Sequence, residues 1–340
     1  MVPLSTSSRA PLAGPILQEV EARLLQIAAS QRGLLGECTG RLIRAGGKRL
    51  RPLLVILSGR CSSACSEGEG SGCESSGGGA CEPLLSVAVA AELIHTASLI
   101  HDDILDGAST RRGRPTINSL WGNHAAVLAG DFLFATAFGL LAREAGPEAL
   151  TLMADAVRAM CEGEIEQATT LFDPAVTEND YISRIEKKTA SLLGACCGAG
   201  ALVGGAPAET AGCLIEFGRN LGIAFQIIDD LLDLVREEKA LGKPAGTDLA
   251  QGILTLPVIY LLQDGSRGEQ VREVLAKRSC GPATLARIRR ALRETHALAY
   301  TYQRAAEFAE KAKSCLARLP AQPARAALLG LAEEILNRGS

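Results

Sequence analysis

Three aspartates with the spacing Asp-Asp-x-x-Asp stand at the polar end of a long apolar run: Asp102, Asp103 and Asp106. Residues four apart share one face of a helix, so Asp102 and Asp106 point in the same direction, with Asp103 beside them. Crowded carboxylates repel one another, and the C-terminal end of a helix disfavours negative charge. A bound Mg²⁺ would relieve both costs and could bridge to a phosphate, whereas a single such motif is equally typical of a solvated helix end.

The same spacing recurs in Asp229, Asp230 and Asp233, again after an apolar run, residues 214–228. Two copies of a costly arrangement in separate predicted helices favour a shared role over two solvated surfaces. If the two helices face each other, the six carboxylates could hold a cluster of divalent ions.

Basic residues form several short groups that complement these carboxylates. One group lies in the turn Gly46-Gly47-Lys48-Arg49-Leu50-Arg51-Pro52, and the others contain Arg111, Arg112, Lys188 and Lys243. Backbone N–H groups, a lysine point charge and forked arginines suit a diphosphate. Each group alone is more typical of a solvated helix end or loop. Together with the acidic motifs, they predict a pocket that binds one polyanion through metal ions and another through bare cations.

The composition limits the classes of protein to which the chain can belong. Of its 340 residues, 47% are hydrophobic and only 4% aromatic, so the predicted core is large and aliphatic. A formal net charge of −3 gives no support to binding of nucleic acid or of an anionic membrane. No secretory signal is evident, and the most apolar stretch, residues 84–100, contains Glu92 and His95, which a membrane span rarely tolerates. We therefore expect a soluble cytoplasmic protein.

The elements that must position these groups are predicted to be helices. Apolar residues recur at three- and four-residue spacing in residues 16–29, 53–57, 84–105, 125–143, 149–170, 180–203 and 209–235, and in the segments beyond Ile253. No alternating strand pattern with hairpin turns competes with them. Short glycine and proline breaks separate the segments, so we predict one all-α domain over residues 1–340.

One long break, residues 59–83, is rich in Ser, Gly and Glu and contains Cys61, Cys65, Cys73 and Cys81. We expect a flexible insert with reduced thiols. A metal site or a redox staple is the alternative, although only the first two of these cysteines are close in sequence. The cysteines in Ala- and Gly-rich segments are interpreted as small buried residues: Cys161, Cys196, Cys197 and Cys213.

This set of motifs resembles that of the trans-isoprenyl diphosphate synthase (polyprenyl synthetase) family from about Ile16 to the C-terminus. The resemblance is carried by the glycine–lysine–arginine turn, both Asp-rich motifs, the arginine pair at 111–112, Lys188-Thr189, Phe225-Gln226 and residues 243–248. The insert matches nothing expected of the family, and Ile253 stands where many relatives carry a lysine. The resemblance implies an isoprenoid-synthase helical bundle around a deep central cavity, most like the heptaprenyl and octaprenyl synthases.

The resemblance also implies roles for individual residues. The Mg²⁺ ligands, with three ions for each active site, would be Asp102, Asp106 and Asp229. Supporting carboxylates would be Asp103, Asp230 and Asp233. The allylic diphosphate would be contacted by Arg111, Lys188 and Lys243. Isopentenyl diphosphate would be held by Lys48, Arg51, Arg112 and His95, and the reacting centre would be lined by Thr189 and Gln226.

The implied reaction is ionisation of the allylic diphosphate, attack by the double bond of isopentenyl diphosphate and loss of a proton, with apolar walls that exclude water. It needs no protein nucleophile. A class I terpene cyclase would typically carry one Asp-rich motif and a different second metal motif. A subunit that has lost its chemistry should lack at least one Asp motif, and both motifs are intact here.

The product is expected to extend along the helix that ends at Asp102. The residues that would limit it are Ser98 and Ala97, with Ile94 and Leu93 one turn deeper. Relatives that stop early place a bulky aromatic residue at the shallow level, so the resemblance implies a long all-trans product of hexaprenyl to octaprenyl length for a quinone side chain. A farnesyl or geranylgeranyl product is the alternative. Residues 194–205, nearly all Gly, Ala and Cys, are either a second thin wall or a close helix contact.

The resemblance further implies a dimer packed through helices. A homodimer is expected, and a heteromer in which this chain is the catalytic subunit is the alternative. A long prenyl product is oily, so we expect its release to involve a membrane surface. Since no anchor is predicted, that contact is at most transient.

Overall fold

The backbone is almost entirely α-helical in the residues that the computed structural model describes, which are 10–62, 82–111, 113–235, 246–265 and 267–337. The first half contains α1 (Ala10–Ala29), α2 (Gly33–Arg44), α3 (Leu50–Ser62), α4 (Glu82–Leu105), α5 (Ile117–Glu144) and α6 (Gly146–Thr169). The second half contains α7 (Glu178–Ile185), α8 (Ser191–Val203), α9 (Ala208–Val235), α10 (Thr247–Ala250), α11 (Leu256–Leu262), α12 (Gly268–Lys277), α13 (Pro282–Glu294), α14 (Ala297–Leu316) and α15 (Pro323–Asn337). The predicted all-α fold is confirmed.

Helix α9, which carries the second acidic motif, packs against both α8 and α14. Glycines on α9 allow its close approach to the preceding segment. A Cβ atom on Gly218 would lie 2.5 Å from the carbonyl oxygen of Leu193, and one on Gly222 would lie 2.5 Å from Cα of Ala190. No side chain fits such gaps, so these glycines fix how closely the second motif approaches the segment that contains Lys188.

The glycine-rich residues 194–205 form a helix contact rather than a wall of the tunnel. A Cβ atom on Gly200 would lie 2.2 Å from the carbonyl oxygen of Val55 on α3, and one on Gly204 would lie 2.5 Å from that of Gly59. Of the two interpretations left open by the sequence, close packing is therefore the correct one.

The insert is shorter than predicted, because both of its ends belong to helices. Gly59 lies within α3, where a Cβ atom would meet Leu84 at 2.6 Å, so this glycine serves packing and not flexibility. Cys61 is buried on the same helix, and Pro83 lies in the first turn of α4, where proline is tolerated. Residues 63–81, with the other three cysteines, lie outside the described residues.

Two local departures from regular helix lie next to the predicted site residues. A short antiparallel hairpin pairs Thr110–Arg111 with Arg114–Pro115, where the sequence predicted only a loop. A π-helical turn, Glu186–Ala190, interrupts the predicted helix of residues 180–203. Such turns occur frequently at functional sites because they shift side chains relative to the rest of the helix.

The described cysteines partly follow the prediction. Cys196 and Cys197 are buried, and burial raises the pKa of both thiols, as expected for inert core residues. Cys161 is instead exposed on α6, and Cys213 is only half-buried. For these two residues the prediction of a buried position is wrong, since the Ala- and Gly-rich surroundings of a residue do not indicate which helical face it occupies.

Two of the described helices are long and apolar enough to cross a membrane, α4 and α5. In α4, 78% of the most apolar window is buried within the protein, and the buried residues include the charged Glu92, so it is a core helix. In α5 only 33% of the window is buried. Leu120, before a break in helical geometry at Gly122, and Val127 and Leu128, after it, are exposed.

Candidate active site

One large cavity, of about 1130 Å³, brings together residues from α4, α6, α8, α9 and the turn before α3. Its walls include most of the described residues to which the sequence assigned a role: Lys48, Arg51, His95, Asp102, Asp106, Arg111, Lys188, Thr189, Gln226 and Asp229. Arg112 and Lys243 lie outside the described residues.

The first acidic motif divides between the cavity and the protein interior. Asp102 and Asp106 line the cavity, at the point where α4 ends. Asp103 is buried and faces the hairpin, where its Oδ1 accepts a hydrogen bond from Nε of Arg111 at 2.7 Å. Arg111 also lines the cavity, so Asp103 fixes a cationic side chain there instead of presenting a carboxylate.

The second acidic motif shows the same division with different partners. Asp229 lines the cavity. Asp230 is buried, and its two oxygens accept hydrogen bonds from the Tyr181 hydroxyl at 2.8 Å and from Nε2 of Gln226 at 2.6 Å. Asp233 does not belong to the wall of the cavity; its carbonyl oxygen accepts a hydrogen bond from the backbone N–H of Gly246 at 3.1 Å.

The electrostatics of the site favour a bound cation. Burial raises the pKa of Asp102 to about 6; Lys188 opposes this shift and Glu164 adds to it. Burial also raises the pKa of Asp230, and the Asp248 carboxylate raises it further. Because both shifts disfavour the ionised carboxylates, a cation bound between the two motifs would stabilise the charged site.

The donor set fits Mg²⁺ that is shared with a bound diphosphate. Asp102, Asp106 and Asp229 face one cavity, yet among the described residues no three His, Cys, Asp or Glu side chains are close enough to hold a metal ion by themselves. Mg²⁺ in proteins keeps several waters and binds through one or two carboxylates plus phosphate oxygens. Of the six carboxylates, Asp103 and Asp230 are engaged by neighbouring side chains and do not line this cavity.

The glycine turn before α3 places all three of its basic residues at the cavity, and carboxylates neutralise one of them, Arg49. Lys48 and the half-buried Arg51 line the cavity, and burial lowers the pKa of Arg51. Arg49, whose φ of 47° is in the left-handed region, is held by carboxylates: Nε pairs with Glu21 at 2.8 Å and Nη1 pairs with Glu92 at 2.5 Å. Glu92 had no predicted role, although an acidic residue inside an apolar helix is a usable signal.

Consecutive side chains of the π-helical turn contact different partners. Lys188 forms an ion pair with Glu164 of α6 at 2.5 Å, and both side chains line the cavity. Thr189 donates a hydrogen bond from Oγ1 to Oε1 of Gln226 at 2.8 Å. Lys187 pairs with Glu166 outside the cavity.

The other end of the cavity is apolar and is built mainly from α6. Its lining includes Val157, Met160, Cys161, Leu193, Phe134 and Phe225, with Ser98 and Leu99 from α4. Ala97, Ile94 and Leu93 are fully buried and do not line it. Their predicted role in limiting the product stays a prediction, since their helical face packs into the core beside the cavity. The contributions of α6 and of Phe134 were missed, because periodicity alone does not say which apolar face borders a cavity.

The sequence and the fold both match known proteins. A family model described as polyprenyl synthetase matches residues 32–292. The chain is 40% identical to heptaprenyl diphosphate synthase component 2 of Geobacillus stearothermophilus over 326 residues, which is 95% of each chain. It is 36% identical to octaprenyl diphosphate synthase of Haemophilus influenzae over 332 residues, or 96% of this chain and 95% of that one.

The chain belongs to the polyprenyl synthetase family. It is a prenyltransferase with the all-α isoprenoid-synthase fold. Among solved structures, a polyprenyl synthase from Caulobacter crescentus, complexed with calcium and isoprenyl diphosphate, superposes with a TM-score of 0.88 at 34% identity, covering 100% of both chains. The cavity described above is therefore the candidate active site of a polyprenyl synthetase.

Proposed function

We propose that this prenyltransferase condenses isopentenyl diphosphate with an allylic diphosphate and repeats the step to give a long all-trans polyprenyl diphosphate for a quinone side chain. The observation that carries the proposal is the division of one cavity into a charged end and an apolar end. The charged end offers carboxylates for a metal-bound diphosphate and, separately, a basic turn for a second one. The apolar end offers space for a hydrocarbon chain.

In the proposed reaction, each group of residues has a distinct task. Arg111 and Lys188, with Lys243, hold the allylic diphosphate, while Lys48, Arg51, Arg112 and His95 hold isopentenyl diphosphate. Mg²⁺, held by Asp102, Asp106 and Asp229, would supply positive charge to the departing pyrophosphate. Thr189 and Gln226 lie at the reacting centre, and the apolar walls keep water from the cationic carbon.

A long product is supported by the small Ser98 at the shallow level of α4 and by the cavity volume of about 1130 Å³. The relatives named heptaprenyl and octaprenyl diphosphate synthase support the same length. The test is incubation of the purified chain with isopentenyl and farnesyl diphosphates, with and without Mg²⁺, followed by measurement of released pyrophosphate and chromatography of the dephosphorylated products. We expect Mg²⁺-dependent release and products longer than geranylgeranyl. A farnesyl or geranylgeranyl product alone would contradict the proposed length.

We also propose that the enzyme works as a homodimer that buries the exposed face of α5. The support is the exposure of Val127 and Leu128, and of Leu120 on the other side of the break at Gly122, in a helix whose most apolar window is only 33% buried. The relative named "component 2" supports the alternative, a heteromer in which this chain is catalytic. Sedimentation with an activity assay separates the two arrangements: an active dimer of this chain alone supports the first, and an inactive one supports the second. Charged variants of Leu128, such as Leu128→Glu, should dissociate the homodimer.

The proposed location is the cytoplasm, with at most a transient membrane contact during product release. This proposal is supported by the burial of α4 within the core and by the absence of a basic surplus. Flotation of the enzyme with neutral lipid vesicles, before and after product synthesis, tests the transient contact.

A further inference from the structure

A chain of hydrogen bonds leads from the cavity wall into the core of the protein. Thr189 donates from Oγ1 to Oε1 of Gln226 at 2.8 Å, and Gln226 donates from Nε2 to Oδ1 of Asp230 at 2.6 Å. Oδ2 of Asp230 accepts from the hydroxyl of Tyr181 at 2.8 Å. We call these four residues the buried relay. Thr189 and Gln226 line the cavity, Asp230 borders a smaller adjoining pocket together with them, and Tyr181 is fully buried.

The chemistry of each group fixes the direction of every hydrogen bond in the relay. With Asp230 ionised, its Oδ1 can only accept from Gln226, so the Gln226 amide turns its NH₂ group inward and its oxygen toward Thr189, as the structure shows. That oxygen can only accept, so the Thr189 hydroxyl must donate to it. The hydroxyl hydrogen is thereby turned away from the substrate, and the lone pairs of the Thr189 oxygen remain available to the cavity.

The inner end of the relay is held firmly. Tyr181 is fully buried, and Arg184 covers its ring at 5.6 Å from the centroid. The guanidinium of Arg184 is itself fixed by a hydrogen bond from Nη2 to the carbonyl oxygen of Leu254 at 2.6 Å. A buried hydroxyl is costly without an acceptor, and within the described part of the chain Asp230 is the acceptor that Tyr181 uses.

We propose that Tyr181 and Asp230 are positioning residues that set the polarity of this relay, so that Thr189 presents oxygen lone pairs to the cationic carbon of the allylic substrate. Asp230 then acts through Gln226 and is not a metal ligand, although it belongs to an Asp-rich motif. This inference rests on the proposed function, because it assumes that a carbocation forms beside Thr189.

The decisive variant is Asp230→Asn, which keeps the size of the side chain. The buried Tyr181 hydroxyl still requires an acceptor, so the new amide turns its oxygen toward Tyr181 and its NH₂ toward Gln226. Gln226 must then flip and donate to Thr189, whose own hydrogen turns toward the substrate. We expect kcat to fall on the order of 10- to 100-fold, with the KM of both diphosphates and the Mg²⁺ dependence nearly unchanged.

Asp229→Asn is the matched control for a metal ligand. It is expected to raise the Mg²⁺ concentration required for half-maximal activity. Asp230→Asn should leave that concentration unchanged. A shift in the Mg²⁺ requirement of Asp230→Asn as large as that of Asp229→Asn would overturn the proposal.

Double variants test whether the relay acts through Thr189. Asp230→Asn should have little further effect in a Thr189→Val enzyme, since the oxygen that it reorients is absent, whereas Thr189→Ser should retain most activity. Tyr181→Phe combined with Asp230→Asn should be no less active than Asp230→Asn alone. If the fold-losses in kcat of the single variants multiply in both double variants, each substitution damages the enzyme independently. That result would contradict the relay.

A binding experiment provides a readout that does not depend on turnover. In the presence of Mg²⁺ and pyrophosphate, an allylic ammonium compound imitates the cation and a neutral hydrocarbon analogue of equal shape serves as the control. Asp230→Asn should weaken binding of the ammonium compound by about tenfold and leave the neutral analogue unaffected. Equal weakening of both would overturn the relay. A wild-type enzyme that releases no pyrophosphate from prenyl substrates would instead overturn the proposed function.

Discussion

The two acidic motifs share one spacing but are built into the protein in different ways. In each, the first aspartate, Asp102 or Asp229, lines the cavity and the second turns inward. Asp103 is paired with a charged arginine from the neighbouring hairpin, whereas Asp230 is held by the neutral groups of a tyrosine and a glutamine. The spacing therefore defines which carboxylates face the cavity, and the surroundings decide which side chain the inward carboxylate holds.

The difference follows from where each motif lies in its helix. The first motif ends α4, so the next polar partner comes from the loop that follows, only eight residues along the chain. The second motif lies inside α9, which continues to Val235 and is surrounded by other helices. Its partner comes from α7, 49 residues earlier. The first motif thus anchors the hairpin that carries Arg111, whereas the second anchors the side chain of Gln226 at the cavity wall.

The largest expected effect tests what the two motifs have in common. Asp102→Ala and Asp229→Ala should each lower turnover by at least about 10²-fold, because each removes a carboxylate that would hold Mg²⁺ beside the diphosphate. Pyrophosphate release measures this effect, and the helical circular dichroism signal should remain. Near-normal activity in either variant would show that Asp102 and Asp229 do not both hold Mg²⁺.

The apo protein should be stabilised by removing the buried charge of the first motif. Burial raises the pKa of Asp102 from 3.8 to about 6, so the folded state binds a proton more tightly than the unfolded state. The contribution of Asp102 to the free energy of unfolding therefore falls as the pH rises from about 4 to about 6 and does not recover above it. Asp102→Asn should raise the free energy of unfolding by up to about 3 kcal/mol at pH 8 without Mg²⁺.

Urea unfolding at pH 4.5 and pH 8 measures this gain. It should be much smaller at the lower pH, where Asp102 is already protonated in the folded protein. A gain of equal size at both values would show that burial of the charge is not its cause.

The inward aspartate of the first motif should affect binding more than the chemical step. In Asp103→Asn, the guanidinium of Arg111 loses its charged partner and its fixed position, so the KM of the allylic diphosphate should rise about tenfold with a smaller change in kcat. Steady-state kinetics measure the split. Arg114→Ala, in the same hairpin but outside the cavity, is the control and should leave the KM unchanged. If Asp103→Asn changes kcat alone, Asp103 acts on the chemical step as Asp230 does, and the contrast between the two inward aspartates is wrong.

The smallest expected effect concerns the charge next to the first motif. Glu164 pairs with Lys188 and raises the pKa of Asp102, so Glu164→Gln should free Lys188 and lower the KM of the allylic diphosphate by roughly two- to fivefold. Glu166→Gln breaks the neighbouring ion pair to Lys187 outside the cavity and should leave the KM unchanged. Equal effects of the two variants would mean that Glu164 acts only through surface charge.

The sequence was sufficient to predict the fold class and most of the residues that meet in the cavity, because helical periodicity and local spacing are short-range signals. It was not sufficient to separate Asp230 from Asp229, since the orientation of adjacent helical residues depends on which neighbours pack behind each of them. The same limit applies to Ala97 and Ser98, of which only the second reaches the cavity. Tyr181 had no signal of its own, because its partner is distant in sequence and a buried tyrosine is ordinary.

The most direct test of the account is a calorimetric titration of Mg²⁺ into the enzyme with and without pyrophosphate, for the wild type and for Asp102→Asn, Asp103→Asn, Asp229→Asn and Asp230→Asn. The wild type should bind Mg²⁺ weakly alone and tightly with pyrophosphate, because the described carboxylates hold no ion by themselves. With saturating pyrophosphate, we expect the variants of Asp102 and Asp229 to lose tight Mg²⁺ binding and those of Asp103 and Asp230 to retain it. Equal loss in all four variants would contradict the division of each motif into an outward and an inward carboxylate.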